Sequence, residues 1–206
     1  MRALLFLMVF FALVTVHAQK LVRKAYIGPR TDTIQIDAQY CYRLDLKTID
    51  SDEVQVSASM EGEYAKDLLI SIEQSGTTAM ISADFQPLFI NPNDKLSAHK
   101  VVSIALEVWV PAYKSVDVFG TNTNLYASGA YSKLDVTLSD GRCTLEDISE
   151  SVQVTTQNGD ILLSTSSGDI LAESVYGKVS KESIPSGDNQ FVLKTIEGDI
   201  ILKKTK

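Results

Sequence analysis

The sequence predicts an all-β chain whose C-terminal half is a flattened parallel β-solenoid, preceded by a less regular β half. Three observations lead there. Apolar residues recur every nine positions at Val116, Leu125, Leu134, Cys143, Val152, Ile161, Ile170 and Val179, and a second column two residues on reads Val118, Ala127, Val136, Leu145, Val154, Leu163, Ala172 and Lys181. Fifteen of these sixteen positions are apolar, whereas a chain that is 45% hydrophobic would fill only about seven by chance, so the period is an internal repeat. Each unit also sets a strand-like alternation, such as Val152-Gln153-Val154, before a turn. Finally, glycine returns at 141, 159 and 177, which doubles the period to eighteen. Two strands and two turns make one solenoid coil, and equivalent strands of successive coils then stack. An antiparallel meander of nine-residue units is the competing arrangement, because the same turns suit hairpins.

Taken in order, residues 1–18 read as a secretory signal peptide. One basic residue, Arg2, precedes an apolar run from Ala3 to Val14, and Val16-His17-Ala18 offers small residues for cleavage before Gln19. That run is short of the ~20 residues a membrane span needs. Arg2 is the only charged residue of the segment, so removing it takes the net charge from −7 to −8. An acidic, evenly dispersed charge argues against nucleic-acid or anionic-membrane partners, and the absence of a second long apolar stretch argues against stable membrane insertion. Residues 19–206 then form a single domain, in which 19–110 is the irregular half and 111–206 the regular one.

Within 19–110, Ile34-x-Ile36-x-Ala38, Tyr42-x-Leu44-x-Leu46, Val54-x-Val56-x-Ala58 and the run Val102 to Val110 alternate as strands, and Ser75-Gly76-Thr77 marks a hairpin. Met60 to Asp67 is polar and suits a short turn of helix. Phe85 to Lys100 carries two prolines and two asparagines and reads as a long loop, a feature often tied to function. Its trio Leu88, Phe89 and Ile90, together with Trp109, are the candidate partner-binding residues, although such a trio also serves to cover a sheet face or solenoid end. Pro111 ends the strand before it. In the regular half, Asp140-Gly141, Asn158-Gly159-Asp160, Ser167-Gly168-Asp169, Tyr176-Gly177-Lys178 and Glu197-Gly198-Asp199 supply turns through positive φ or short polar caps. The insertion Lys181 to Asn189 delays the pattern by three residues, after which Phe191, Leu193, Ile200 and Leu202 resume it.

No residue set points to catalysis, a metal or a cofactor, and the chain is expected not to be an enzyme. Asp160, Asp169 and Asp199 invite a calcium reading, but calcium-binding nonapeptide rolls place glycines two, four and five residues before the aspartate, whereas here glycine immediately precedes it. Once the leader is removed, His99 is the sole histidine, with only Asp94 near it in sequence. Cys41 and Cys143 show no disulfide spacing, and Cys143 falls in an apolar column, so buried free thiols are expected. The outward charges Asp117, Asp135, Glu146 and Glu173 are scattered among polar residues rather than paired as glycosidic chemistry requires. Trp109, Tyr126 and Tyr131 read as outward aromatics able to contact sugar or protein.

The leader, the strand pair around Tyr40-Cys41-Tyr42, the segment Asn93 to Val101, and the runs Asn158-Gly159-Asp160-Ile161, Gly168-Asp169-Ile170, Ile184-Pro185-Ser186-Gly187 and Glu197-Gly198-Asp199-Ile200 resemble the secreted bacterial "putative adhesin" β-strand-repeat family, related to head-GIN-domain proteins. The resemblance spans about Lys20 to Lys204. It implies a right-handed parallel β-helix and an envelope location, periplasmic or at the cell surface, and it carries over no catalytic residues. Many relatives have Asn or Lys where this chain has acidic Gly-Asp-Ile turns, so a binding surface along those turns differs here.

Three functions follow as expectations. The first is a secreted, non-enzymatic binding or scaffold protein for a surface protein or glycan. The second is a periplasmic accessory of envelope maintenance or stress response. A polysaccharide-cleaving β-helix enzyme ranks last.

Overall fold

The computed structural model describes residues 31–61, 67–86 and 103–205, and the backbone of 20–26. The predicted leader, and Leu88, Phe89, Ile90 and His99 of the predicted loop, lie outside the described residues. The described residues are all-β, with fifteen strands hydrogen-bonded into one large mixed sheet that is not closed. Among the described residues no helix is long and apolar enough to cross a membrane.

The sheet consists of two ladders of stacked strands. In the first, β6 (Thr78–Phe85), β2 (Thr33–Asp37), β8 (Ser115–Asn122), the second half of β9 (Asn124–Asp140), the second half of β10 (Cys143–Thr156), β14 (Gln190–Thr195) and β12 (Asp169–Ser174) run parallel. The second ladder stacks β7 (Ser103–Pro111), β3 (Arg43–Ile49), the first halves of β9 and β10, β11 (Ile161–Thr165), β15 (Ile200–Lys204) and β13 (Val179–Lys181), again all parallel. Among the described residues, antiparallel pairing is confined to the outer N-terminal strands. There β5 (Leu68–Ser75) pairs with β6 through the predicted turn at Gly76, whose φ is +61°, and β1 (Lys20–Tyr26) and β4 (Val54–Glu61) extend the second ladder beyond β7. Met60 is a fully buried residue of β4, so the polar segment expected to begin there begins later.

The nine-residue count arises because successive units alternate between the ladders. Val116, Leu134 and Val152 stack in the first, while Leu125, Cys143 and Ile161 stack in the second, each pair of neighbours eighteen residues apart in register. All six are 1% exposed or less. The parallel arrangement therefore prevails over the meander throughout the regular half. Strands β9 and β10 belong to both ladders, since each turns the corner without interruption. Gly129 (φ +111°), Asp147 (φ +48°) and Glu150 (φ +78°) make those corners, and the β9/β10 register shifts between Glu146 and Ile148 and again between Glu150 and Ser151.

The last four strands depart from chain order. Regular repetition predicts Ile170 beside Val152 and Val179 beside Ile161, yet Phe191 and Ile200 occupy those places, and Ile170 and Val179 lie outside them. Side-chain character accounts for the exchange. Phe191, Leu193, Ile200 and Leu202 are all 2% exposed or less, whereas Val179 is 43% exposed and Lys181 lies in the open. Lys181 would be a buried charge on an interior strand, which is costly unless paired, and an edge strand leaves its amine in water. The segment after β13 carries the chain back. Its Ile184 packs on the core, and the Gly168 amide donates to the Pro185 carbonyl at 3.0 Å.

The glycine column has a different cause from the one expected. Of the turn glycines named from the sequence, Gly141 takes positive φ (+93°), whereas at Gly159, Gly177 and Gly198 the need is for space. A Cβ on Gly159 would strike the carbonyl oxygen of Gly141, one on Gly198 that of Gly159, and one on Gly177 that of Gly198. Hydroxyls three residues earlier complete the stack. Thr156 Oγ1 donates to the Gly159 carbonyl at 2.6 Å, and Ser174 Oγ to the Gly198 carbonyl at 2.7 Å. The Gly177 and Gly198 amides in turn donate to Ser174 Oγ and Thr195 Oγ1 at 2.9 and 3.1 Å. Buried backbone groups at each corner are thereby satisfied.

Candidate functional site

The inward phase of each ladder is packed shut, so the outward phase is the surface left for contact with other molecules. In the first ladder the outer positions of β5, β6, β2 and β8 align in two rows. Glu73, Met80, Gln35 and Asp117 form one, and Ser71, Ser82, Asp37 and Phe119 the other. Between them opens a cleft of about 400 Å³ lined by Gln35, Asp37, Glu73, Met80, Asp84 and Phe119, among others. Met80 and Phe119 are each 43% exposed, so the cleft has an apolar floor beside carboxylate walls. The carboxylates are fixed by local bonds. Asp37 accepts from the Gln39 amide at 3.0 Å, Glu73 from Ser71 Oγ at 3.1 Å, and Asp84 from the Phe85 amide at 2.7 Å. Tyr40, after the end of β2, meets Phe85 edge to face with ring centroids 5.8 Å apart, and Phe85 packs on the core side of β6.

A smaller hollow of about 200 Å³ lies on the second ladder, lined by Asp45, Lys47, Tyr126, Ser128, Thr144 and Glu146, with Ala127. Arg43 donates to both Asp45 oxygens, at 2.6 and 2.9 Å, and its guanidinium carbon sits 4.6 Å from the Tyr126 ring centroid. Held by that carboxylate, the guanidinium stays protonated well above its ordinary range. Hydroxyls, carboxylates and an amine side by side suit hydrogen bonding to a polyol or a polar peptide.

The sequence candidates fare unevenly. Trp109 is half-buried on β7, cross-strand from Lys47 of this hollow, and Tyr126 lines the hollow directly. Tyr131 is not an outward aromatic but fully buried, its hydroxyl donating to the Ser128 and Leu46 carbonyls at 2.8 and 3.2 Å, and burial raises its pKa. The corner at Gly129 and Ala130 shifts the alternation and turns it inward. Phe85 and Gln86, read as the start of the loop, are respectively the end of β6 and the residue after it. Glu146 faces the hollow, Asp117 adjoins Asp135 across the first ladder, Asp135 accepts from Lys133 at 3.1 Å, and Glu173 lies 3.6 Å from Lys194.

The turn aspartates act as caps. Asp160 accepts from the Asp199 amide at 3.0 Å, and Asp199 from the Lys178 amide at 2.7 Å. Met80 and Phe119 escaped the sequence reading. Their signal was an apolar residue in the polar phase of an alternating strand.

Cys41 and Cys143 are buried and unbridged. Burial pushes both thiols up to about 12, with Asp37 adding to the effect at Cys41. Neither is expected to react with a thiol reagent in the folded chain at about pH 8, because the thiolate is the nucleophile. Both are expected to react once the unreduced chain is unfolded. Fewer than two reactive thiols in that unfolded sample would contradict the buried, unbridged arrangement.

No protein-family model matches the chain, and no curated protein matches its sequence. Its fold is similar to that of a "putative cell adhesion protein" from Clostridium sporogenes, with a TM-score of 0.62 at 11% identity over 91% of this chain and 100% of that one. Structures of a "putative adhesin" from Bacteroides fragilis and another from Parabacteroides merdae match more loosely. Their TM-scores are 0.38 and 0.31 at 13% and 12% identity, over 90% and 91% of this chain and 97% of each of theirs.

Proposed function

We propose that the chain is an exported, non-enzymatic β-solenoid of right-handed coil that presents a rigid outer face to a surface protein or glycan. The observation that carries this reading is the constant register of the parallel ladders. It holds outward side chains of distant segments in fixed rows, as in the Met80 and Phe119 cleft and the Tyr126 hollow. A site on packed strands is pre-organised, so little ordering opposes binding. The fold likeness to a protein described as a cell adhesion protein supports the same reading.

Protease treatment of intact cells bearing the tagged chain, with a periplasmic marker as control, tests the location. Cleavage on intact cells is expected if the face meets a surface partner. Protection until the outer membrane is opened would instead favour the periplasmic accessory of envelope maintenance.

A further inference from the structure

We infer that the cleft on the first ladder binds a basic, amphipathic segment of a partner protein, a strand that sets lysine or arginine beside apolar residues. This assignment names the partner class for one face of the scaffold proposed above and rests on that reading. Two features of the cleft specify the occupant. The floor is apolar, with Met80 and Phe119 exposed in adjoining rows. Exposed apolar side chains grouped in a concavity on a rigid sheet mark a contact surface rather than scattered surface residues.

The walls have a single sign. Asp37, Glu73 and Asp84 line the cleft, Asp117 stands beside Gln35 at its edge, and among the described residues the lining includes no lysine or arginine. Among the described residues none of these four carboxylates joins a salt bridge, whereas nearby Asp135 is paired with Lys133. The Asp37, Glu73 and Asp84 bonds come from neutral donors and leave the negative charge uncompensated. An apolar side chain would seat against Phe119 and Met80 while ammonium or guanidinium groups pair with the walls. Charge complementarity of this kind orients the encounter and raises its rate. An anionic or uniformly polar ligand meets the wrong charge or leaves the floor wet.

The test uses the whole mature chain and a fluorescein-labelled peptide of alternating lysine and leucine, followed by anisotropy at about 50 and about 200 mM salt, because screening strengthens across that range. In the first variant, Asp37→Asn, Glu73→Gln and Asp84→Asn are combined. Asparagine keeps the acceptor that the Gln39 amide uses, so the strand end survives. A control variant, Asp50→Asn, Asp52→Asn and Glu197→Gln, removes the same charge at exposed positions away from the cleft. Phe119→Ser tests the floor, and circular dichroism confirms that each variant is folded.

The expected result is that the cleft variant binds at least tenfold more weakly and loses most of its salt dependence, while the control changes less than twofold. Phe119→Ser is expected to weaken binding about fivefold with the salt dependence unchanged. Equal losses in the cleft and control variants would reduce the effect to diffuse attraction by an acidic protein and overturn the proposal. An unchanged Phe119→Ser would overturn it as well. A concentration-dependent dimer that Phe119→Ser disperses would assign the cleft to a second copy of the chain and do the same. Peptide binding that follows the expected pattern in a chain confined to the periplasm would uphold the cleft and sink the surface reading alone.

Discussion

Replacing Phe191 by alanine is expected to lower the free energy of unfolding by about 3–5 kcal/mol, the cost of emptying a large side chain from a closed core. Val179→Ala, at an equivalent step of the nine-residue count, should cost less than about 1 kcal/mol, as is usual for a partly exposed edge residue. Phe191 is 1% exposed, lies between Val152 and Ile170 in the first ladder, and comes within 2.9 Å of where a Gly168 side chain would start. Val179 sits on the outermost strand of the second ladder, with pairing on one side from β15 alone. If the strands stacked in chain order, Ile170 would stand where Phe191 does and Val179 where Ile200 does, so Val179 would be interior, Phe191 would lie at the edge, and Val179 would be the costlier of the pair relative to its size. Urea unfolding of both variants, with slopes compared, separates the two orders. Similar losses, scaled by volume, would contradict the exchanged coils.

Gly159→Ala is expected to destabilise by about 3 kcal/mol, at the upper end for overpacking a tight site. The added methyl group would meet the Gly141 carbonyl, which is backbone and has no rotamer to yield. Moving aside would also strain the Thr156 hydroxyl bond to the Gly159 carbonyl and the longer one from Thr195 at 3.3 Å. Gly76→Ala provides the contrast. Gly76 has open space around it and a φ of +61°, so alanine there meets only the left-handed backbone penalty of about 1 kcal/mol. A loss at Gly159 no larger than that at Gly76 would show that the glycine column can spread. The same measurement would then remove the steric explanation of the eighteen-residue glycine period.

The nine-residue period was legible because burial leaves one inward row per strand and the chain crosses from ladder to ladder at a fixed step. Which coil neighbours which was not legible. Val152 places no demand on the identity of its neighbour beyond an apolar side chain, and both Ile170 and Phe191 meet it. The choice falls to Lys181, which does not fit an interior coil, and to the return segment after it. The corner tyrosine was misread because one irregular residue in a strand exchanges its inner and outer faces. The cleft was hidden for another reason. Met80 and Phe119 lie far apart in sequence and meet only because β2 pairs with β6 on one side and β8 on the other. Strand periodicity shows which way a side chain points, but not what it will stand beside.

Tension applied through Lys204 would not find a loose end. Strand β15 is held by five register pairs with β11 and three with β13, and the Lys204 amide donates to Glu182 at 2.9 Å. A pull along that strand loads two rows of hydrogen bonds in shear, so they must fail together, whereas an outermost strand can be unzipped one bond at a time. The outermost strands β12 and β13 are the part that can peel away, and they can do so while Phe191 and Ile200 still close the core. A load on the C-terminal strand would thus be borne by the interior of the molecule, with its outermost strands free to yield first.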